Sequence, residues 1–226
     1  LAQFLAGPKA GQVFTLNYDL LLYWTLMHDD MPFEDPVALV TNDGFGNDED
    51  DPDADYVVWQ GETGAHDAKV HFLHGALHLF DSGSELKKYT WVRKQVRLID
   101  QARDAIAADA YPLFVAEGTS VQKKAKIRHN AYLYQGFKQF TANVKVGTHC
   151  VFVYGHSLAE NDDHILARIG RGRFPKLYVG IYGDENSPDN QRIMGRANAL
   201  TRLRTAAYPL EVAFYDAASA NVWGAP

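Results

Sequence analysis

The sequence predicts an α/β fold built on a doubly wound, mostly parallel sheet. Two observations carry that expectation. Short runs of β-branched, aromatic and aliphatic residues alternate along the 226-residue chain with longer stretches whose apolar positions recur at helical spacing, the pattern of strands joined by crossover helices. Several of the short runs, such as Leu113-Phe114-Val115 and Cys150-Val151-Phe152-Val153, are apolar at successive positions, as strands covered on both faces must be. A third observation bears on function. Many of the runs stop abruptly on Gly, Asn, Asp, Glu or His, and the carboxyl ends of parallel strands share the rim where open α/β sheets bind ligands.

Taken in order, Leu1 to Leu5 reads as the end of a helix closed by Gly7-Pro8, a common helix stop. Val13-Phe14-Thr15-Leu16 is a strand that ends on Asn17 and Asp19, and a helix from Leu20 to Met27 follows at once. Asp19 and Asn17 also suit capping of that helix. Residues 42–55 carry seven acidic side chains among Gly44, Gly46 and Pro52. They lack the sixth-position Gly and twelfth-position Glu of a calcium loop, so a solvated insertion or mobile loop is expected. Tyr56 to Trp59 and Val70 to Leu73 are strands, the second ending on His74-Gly75. Leu86 to Ala110 predicts mostly helix from Val92, Val96, Ile99 and Ile106. Tyr111 to Val115 is a strand that stops at Glu117-Gly118, and Ser120 is the expected N-cap of a helix running through Leu133. Val144 to Tyr154 holds the most strand-like run and breaks at Gly155-His156-Ser157; Asn161-Asp162-Asp163 opens the next helix. Lys176 to Ile181 is a strand ending at Gly183-Asp184, followed by a helix from about Asp189 to Arg204 and a last strand, Leu210 to Tyr215.

Composition narrows the class. With 46% hydrophobic residues the chain can bury a sizeable core as a single domain, and 22 basic against 28 acidic side chains give a net charge of −6. That balance argues against broad nucleic-acid binding, which usually shows a basic patch or an alkaline isoelectric point. The single cysteine, Cys150, excludes an internal disulfide and a multi-cysteine zinc module, and its apolar neighbours predict burial. No stretch reaches the length of a membrane span, so the expected setting is cytoplasmic with no membrane partner. The chain opens inside an apolar pattern at Leu1, which suggests further sequence upstream.

The strand ends supply the candidate site. Thr15, Asn17 and Asp19, His74 and Gly75, Gly155, His156 and Ser157, and Asp184 each stand just past or at the end of an apolar run, and a parallel sheet would gather them along one crevice. Glycine there lets a phosphate or ribose approach the main chain. His71, His74 and His78 have the spacing of helical metal ligands, although Gly75 favours strand and turn. A structural role is open for His74, and so is a role as a base, because an imidazole titrates near neutrality. Gly155-His156-Ser157-Leu158-Ala159 also looks like a nucleophile elbow. Asp184 could serve as its acid, but the last histidine, His164, precedes Asp184, which leaves no base in the expected order.

Thr15-Leu16-Asn17-Tyr18-Asp19 resembles the Thr-x-Asn-x-Asp motif of sirtuin-like (SIR2-like) domains, Phe72-Leu73-His74-Gly75 resembles their His-Gly motif, and Tyr154-Gly155-His156-Ser157-Leu158 their dinucleotide-contacting Gly-Thr-Ser-Leu loop. The sequence is closer still to a bacterial group of this kind, DUF4917. It shares with that group the Glu117-Gly118-Thr119-Ser120 turn, the Asp162-Asp163-His164-Ile165 run and an ending like Phe214-Tyr215-Asp216 through Trp223-Gly224. The resemblance implies a Rossmann-like domain without the sirtuin zinc module, binding NAD, and an NAD hydrolase that releases nicotinamide, in bacteria as part of antiviral defence. A module that senses NAD or ADP-ribose without cleaving it is the alternative. On the resemblance, Asn17, Asp19 and His74 are catalytic, and Thr15, Gly75, Gly155, His156, Ser157 and Asp184 bind the dinucleotide. No metal is expected, and the partner is a second copy of the chain or a defence-system protein. The family's glycine-rich pyrophosphate loop is absent from these residues: either it stands upstream of Leu1 or the chain binds the dinucleotide poorly.

Overall fold

The computed structural model describes residues 11–27, 42–64, 68–90 and 96–222. The helix expected at Leu1 to Leu5, Val92 and the Trp223-Gly224 ending lie outside them. The chain divides into two compact units, one of residues 2–116 and 127–136 and the other of Glu117–Lys126 and Phe137–Pro226 with Leu1. They are called the N-terminal and C-terminal units below. The fold is mixed α/β, with parallel and antiparallel sheets.

The N-terminal unit begins with strand β1 (Val13–Thr15) and helix α1 (Leu21–Met27). Strands β2 (Phe45–Gly46) and β3 (Tyr56–Trp59), a short helix α2 (Gly61–Gly64), and strands β4 (Val70–Phe72), β5 (Gly75–Asp81) and β6 (Leu86–Tyr89) follow. Helix α3 (Leu98–Ala107) and strand β7 (Pro112–Phe114) come next. β1 pairs in parallel with β4, with Thr15 opposite Phe72. The other strands form an antiparallel sheet in the order β2-β3-β6-β5-β7.

Two expectations change here. Leu86–Tyr89 is a strand, not the start of a helix. Its alternation of buried Leu86 and Lys88 with half-buried Lys87 and Tyr89 has period two, and helical spacing holds only from Leu98 onward. The acidic stretch is also not merely a solvated insertion. Phe45 and Gly46 pair with Trp59 and Val58, Asp43 and Asp48 are buried, and Asp43 Oδ2 accepts a 2.6 Å bond from the buried Lys88 ammonium. A buried carboxylate persists because a cation and hydrogen bonds offset its desolvation.

Residues 120–143, which the two units share out, form helix α4 (Ser120–His129) and helix α5 (Ala131–Asn143). Thr119, not Ser120, caps α4. The Thr119 amide donates to Gln122 Oε1 at 2.9 Å and the Gln122 amide to Thr119 Oγ1 at 3.4 Å, a reciprocal capping box. The helix expected to run on past Leu133 is broken at Asn130, whose Oδ1 accepts from the Leu133 amide at 3.1 Å and so starts a second helix.

The C-terminal unit continues with strand β8 (Cys150–Val153), helix α6 (Asp163–Gly170), strand β9 (Lys176–Ile181), helix α7 (Pro188–Ala199) and strand β10 (Glu211–Asp216). All three strands are parallel, in the order β10-β9-β8. Leu177, Val179 and Ile181 of β9 are buried while Lys176, Tyr178 and Gly180 are half-buried. α7 starts on Ser187, whose Oγ accepts from the Asn190 amide, with Pro188 at its first position, where a missing N–H costs nothing. Cys150 is exposed, against expectation. β8 lies at the edge of its sheet, and Cys150 and Phe152 share a face that is open to solvent, where Phe152 stacks on Tyr178 at 4.5 Å.

Candidate functional site

The residues named from sequence fall in both units. Thr15, Asn17, Asp19, His74 and Gly75 belong to the N-terminal unit; Gly155, His156, Ser157 and Asp184 belong to the C-terminal unit.

In the N-terminal unit, parallel pairing of β1 and β4 sets Thr15 opposite Phe72. Asn17 and His74 therefore each stand two residues beyond a register pair, at the carboxyl ends of neighbouring strands. The Leu73 amide donates to the Thr15 carbonyl and the Leu77 amide to the Tyr18 carbonyl, both at 2.9 Å, so the segment holding Asn17 runs beside the one holding His74 and Gly75. Asn17 is exposed, whereas His74 is only 3% exposed. The Asn17 amide donates to Thr15 Oγ1 at 3.0 Å, and Asp19 Oδ1 accepts from the Leu21 amide at 2.9 Å. Asp19 thus caps α1, as an Asp at this place should. Gly75 has a structural reason of its own. Its φ is +75°, and a Cβ there would meet the Leu113 carbonyl oxygen at 2.0 Å. No side chain fits where β7 passes.

His71 and His78 flank His74 in sequence and pack against aromatic rings. His71 stacks on Phe14 at 4.8 Å. His78 sits against Tyr23 at 4.6 Å and Phe72 at 5.3 Å, and neither of its ring nitrogens has a hydrogen-bond partner. Burial pushes the His71 imidazole down to about 4 and that of His78 to about 3, because an apolar interior disfavours the charged ring. The three histidines do not gather as a ligand set of their own.

In the C-terminal unit, the parallel strands put Tyr154-Gly155-His156-Ser157, Tyr182-Gly183-Asp184 and Asp216 on one rim. Gly155 (φ +65°) and Gly183 (φ +76°) face open space, with no atom within 4 Å of an added Cβ. That leaves the main chain accessible, unlike at Gly75. Gly155, Ser157 and Asp184 are exposed, and Asp184 Oδ1 accepts from the Asn186 amide at 2.9 Å to close its turn.

The His156 ring turns back into the unit. Its Nδ1 accepts from the Leu158 amide at 2.9 Å, and its Nε2 lies 3.3 Å from Asp162 Oδ2. An Nδ1 that accepts leaves the proton on Nε2, so the ring donates to Asp162. The other Asp162 oxygen accepts from the Lys123 ammonium at 2.8 Å, and both side chains are nearly buried. Both nitrogens of His156 are engaged, so this ring is no base for Ser157, and Ser157 Oγ has no hydrogen bond to a histidine among the described residues. Ser120 Oγ lies 3.4 Å from Nδ1 of His164, whose imidazole burial pushes down to about 4.

The sequence marks Asp162 as the opening of a helix and as part of the Asp162-Asp163-His164-Ile165 run, but gives no signal for Lys123 or for Arg196, which donates to the Leu158 carbonyl. Lys123 stands among Lys124, Lys126 and Arg128 in its helix, and Arg196 shares its helix with Arg192, so no local pattern distinguishes either from a solvated cation.

These features define a mixed α/β protein with loop clusters at the carboxyl ends of parallel strands. More particularly, the chain belongs to the family described as a domain of unknown function, DUF4917, which it matches over residues 1–223. Comparison with curated proteins and with solved structures finds no match. Among the described residues, no helix is long and apolar enough to cross a membrane.

Proposed function

We propose that this chain binds NAD and hydrolyses it to nicotinamide and ADP-ribose. One observation carries the reading. Asn17 and His74 each lie two residues past the register pair Thr15–Phe72 of the parallel strands β1 and β4, and the sirtuin-like resemblance gives this amide and this imidazole the catalytic roles. The nicotinamide of NAD is already cationic and leaves without a general acid. Water adds its oxygen to the ribose carbon, the glycosidic electron pair moves to the ring nitrogen, and the water proton passes to a base. The site must stabilise an oxocarbenium-like ribose and hold that water. Asn17 holds the water or the ribose hydroxyls, Asp19 orients the nicotinamide ribose, and His74 takes the proton. In the C-terminal unit, the accessible main chain at Gly155 and Gly183, with Ser157 and Asp184, suits the sugar and phosphate oxygens of a nucleotide. Antiviral defence and assembly with a second copy are the setting that the resemblance suggests.

Binding without cleavage is the second reading, and the burial of His74 favours it, since an imidazole 3% exposed gives solvent water little access. Incubating the chain with NAD and measuring free nicotinamide by chromatography separates the two. Turnover that falls at least about a hundredfold in Asn17→Ala and His74→Ala supports hydrolysis. Tight binding with no product identifies the sensor, and neither binding nor product overturns both.

A further inference from the structure

The loop after β8 has an unusual conformation and an unusual set of supports. Leu158 is 1% exposed and has a φ of +52°, a left-handed conformation that is uncommon for a bulky side chain and needs surroundings that over-determine it. Its amide is held by His156 Nδ1 at 2.9 Å and its carbonyl by Arg196 Nε at 2.8 Å. Arg196 is in turn paired with Asp163. The imidazole acts as an acceptor only while its proton is on Nε2, and what keeps it there is the Asp162 carboxylate, anchored by Lys123.

We infer that Asp162, fixed by Lys123, is a positioning residue for nucleotide binding. It sets the Nε2–H tautomer of His156, the tautomer holds the Leu158 amide, and the resulting turn presents Gly155 and Ser157 outward to ribose or phosphate oxygens. His156 then serves the ligand through the loop rather than by touching it. The inference rests on the dinucleotide reading for the identity of the ligand, but not for the tautomer or the turn.

Asp162→Asn isolates the effect. The new amide oxygen still accepts from Lys123, while its NH2 faces the imidazole and can only donate. Nε2 must become the acceptor, Nδ1 gains the proton, and the Leu158 amide loses its partner. Imidazole nitrogen NMR of the full chain should show Nδ1 as an acceptor in the wild type and as a protonated nitrogen in Asp162→Asn, with faster exchange of the Leu158 amide. The affinity for NAD and for ADP-ribose should weaken about tenfold, as for loss of one well-placed interaction. Any turnover should show this in KM with kcat nearly unchanged. His156→Ala, which leaves the Lys123–Asp162 pair intact, should weaken binding and unprotect Leu158 to a similar extent, and it serves if Asp162→Asn does not fold. An unchanged tautomer with an unchanged Leu158 amide overturns the inference, and so does a swapped tautomer with unaltered affinity. Wild-type chain that binds neither NAD nor ADP-ribose overturns the dinucleotide reading and the positioning of those ligands, and the imidazole readout then decides the tautomer relay by itself.

Discussion

Two glycines at strand ends behave in opposite ways, and the difference is measurable. At Gly75 a methyl group would be driven into the Leu113 carbonyl at 2.0 Å, and the backbone has φ +75°. Gly75→Ala should therefore cost roughly 3–5 kcal/mol, combining left-handed strain with overpacking. Gly155→Ala meets empty space and carries only the cost of its φ of +65°, about 1 kcal/mol. Denaturant unfolding of the two variants checks the order. Their ligand affinities should fall in the reverse order, because only Gly155 offers an open approach to the main chain. From sequence the two are indistinguishable, since each is a glycine following a histidine or an aromatic residue at the end of an apolar run.

At the scale of elements, the acidic segment around β2 is tied to β6 by one ion pair, Asp43 with Lys88, each side chain 10% exposed. The Lys88 ammonium also lies 4.9 Å over the Phe45 ring. Removing one partner strands the other charge in the interior, so Asp43→Ala should lower stability by roughly 3–5 kcal/mol. The pair Asp43→Leu with Lys88→Met should recover most of that loss, because no buried charge remains. A double-mutant cycle by thermal unfolding checks this; equal losses in the single and double variants would show that packing, not charge, holds the segment. The same element shows why Leu86–Tyr89 is hard to read. Its two lysines suggest a solvated helix, and only the carboxylate 45 residues away at Asp43 makes a buried Lys88 tolerable. Elements whose burial follows from their own pattern, such as Lys176–Ile181 and Glu211–Asp216, stand close to where the sequence places them.

For the whole molecule, His71, His78 and His164 couple stability to acid. Their folded-state values, near 4, 3 and 4, lie below the ordinary 6.5 because burial favours the neutral rings. The unfolded chain therefore binds protons that the folded chain refuses. Their contribution is complete above about pH 6.5 and is lost progressively as pH falls toward 4. Between pH 7 and pH 5 each should cost about 2 kcal/mol. Thermal unfolding across that window should show a steep fall. His78→Leu should flatten it, because the imidazole there makes no hydrogen bond to lose. An unchanged slope in that variant would mean that His78 does not titrate on unfolding.

The sequence by itself determined the alternation of strands and helices, the membership of the family and the strand-end positions of Asn17, His74 and Gly155, because hydrophobic period and turn chemistry are local properties. Only the tertiary structure decided that Asn17 and His74 share one pair of strand ends, that Thr119 rather than Ser120 caps its helix, and that His156 answers to Asp162 and Lys123. It also decided that the middle of the chain forms an antiparallel sheet and that Cys150 faces solvent. Pairing partners, the strand at a sheet's edge and the cation that neutralises a buried carboxylate are set by groups distant in sequence. A local pattern records what a residue prefers, not which neighbour it meets.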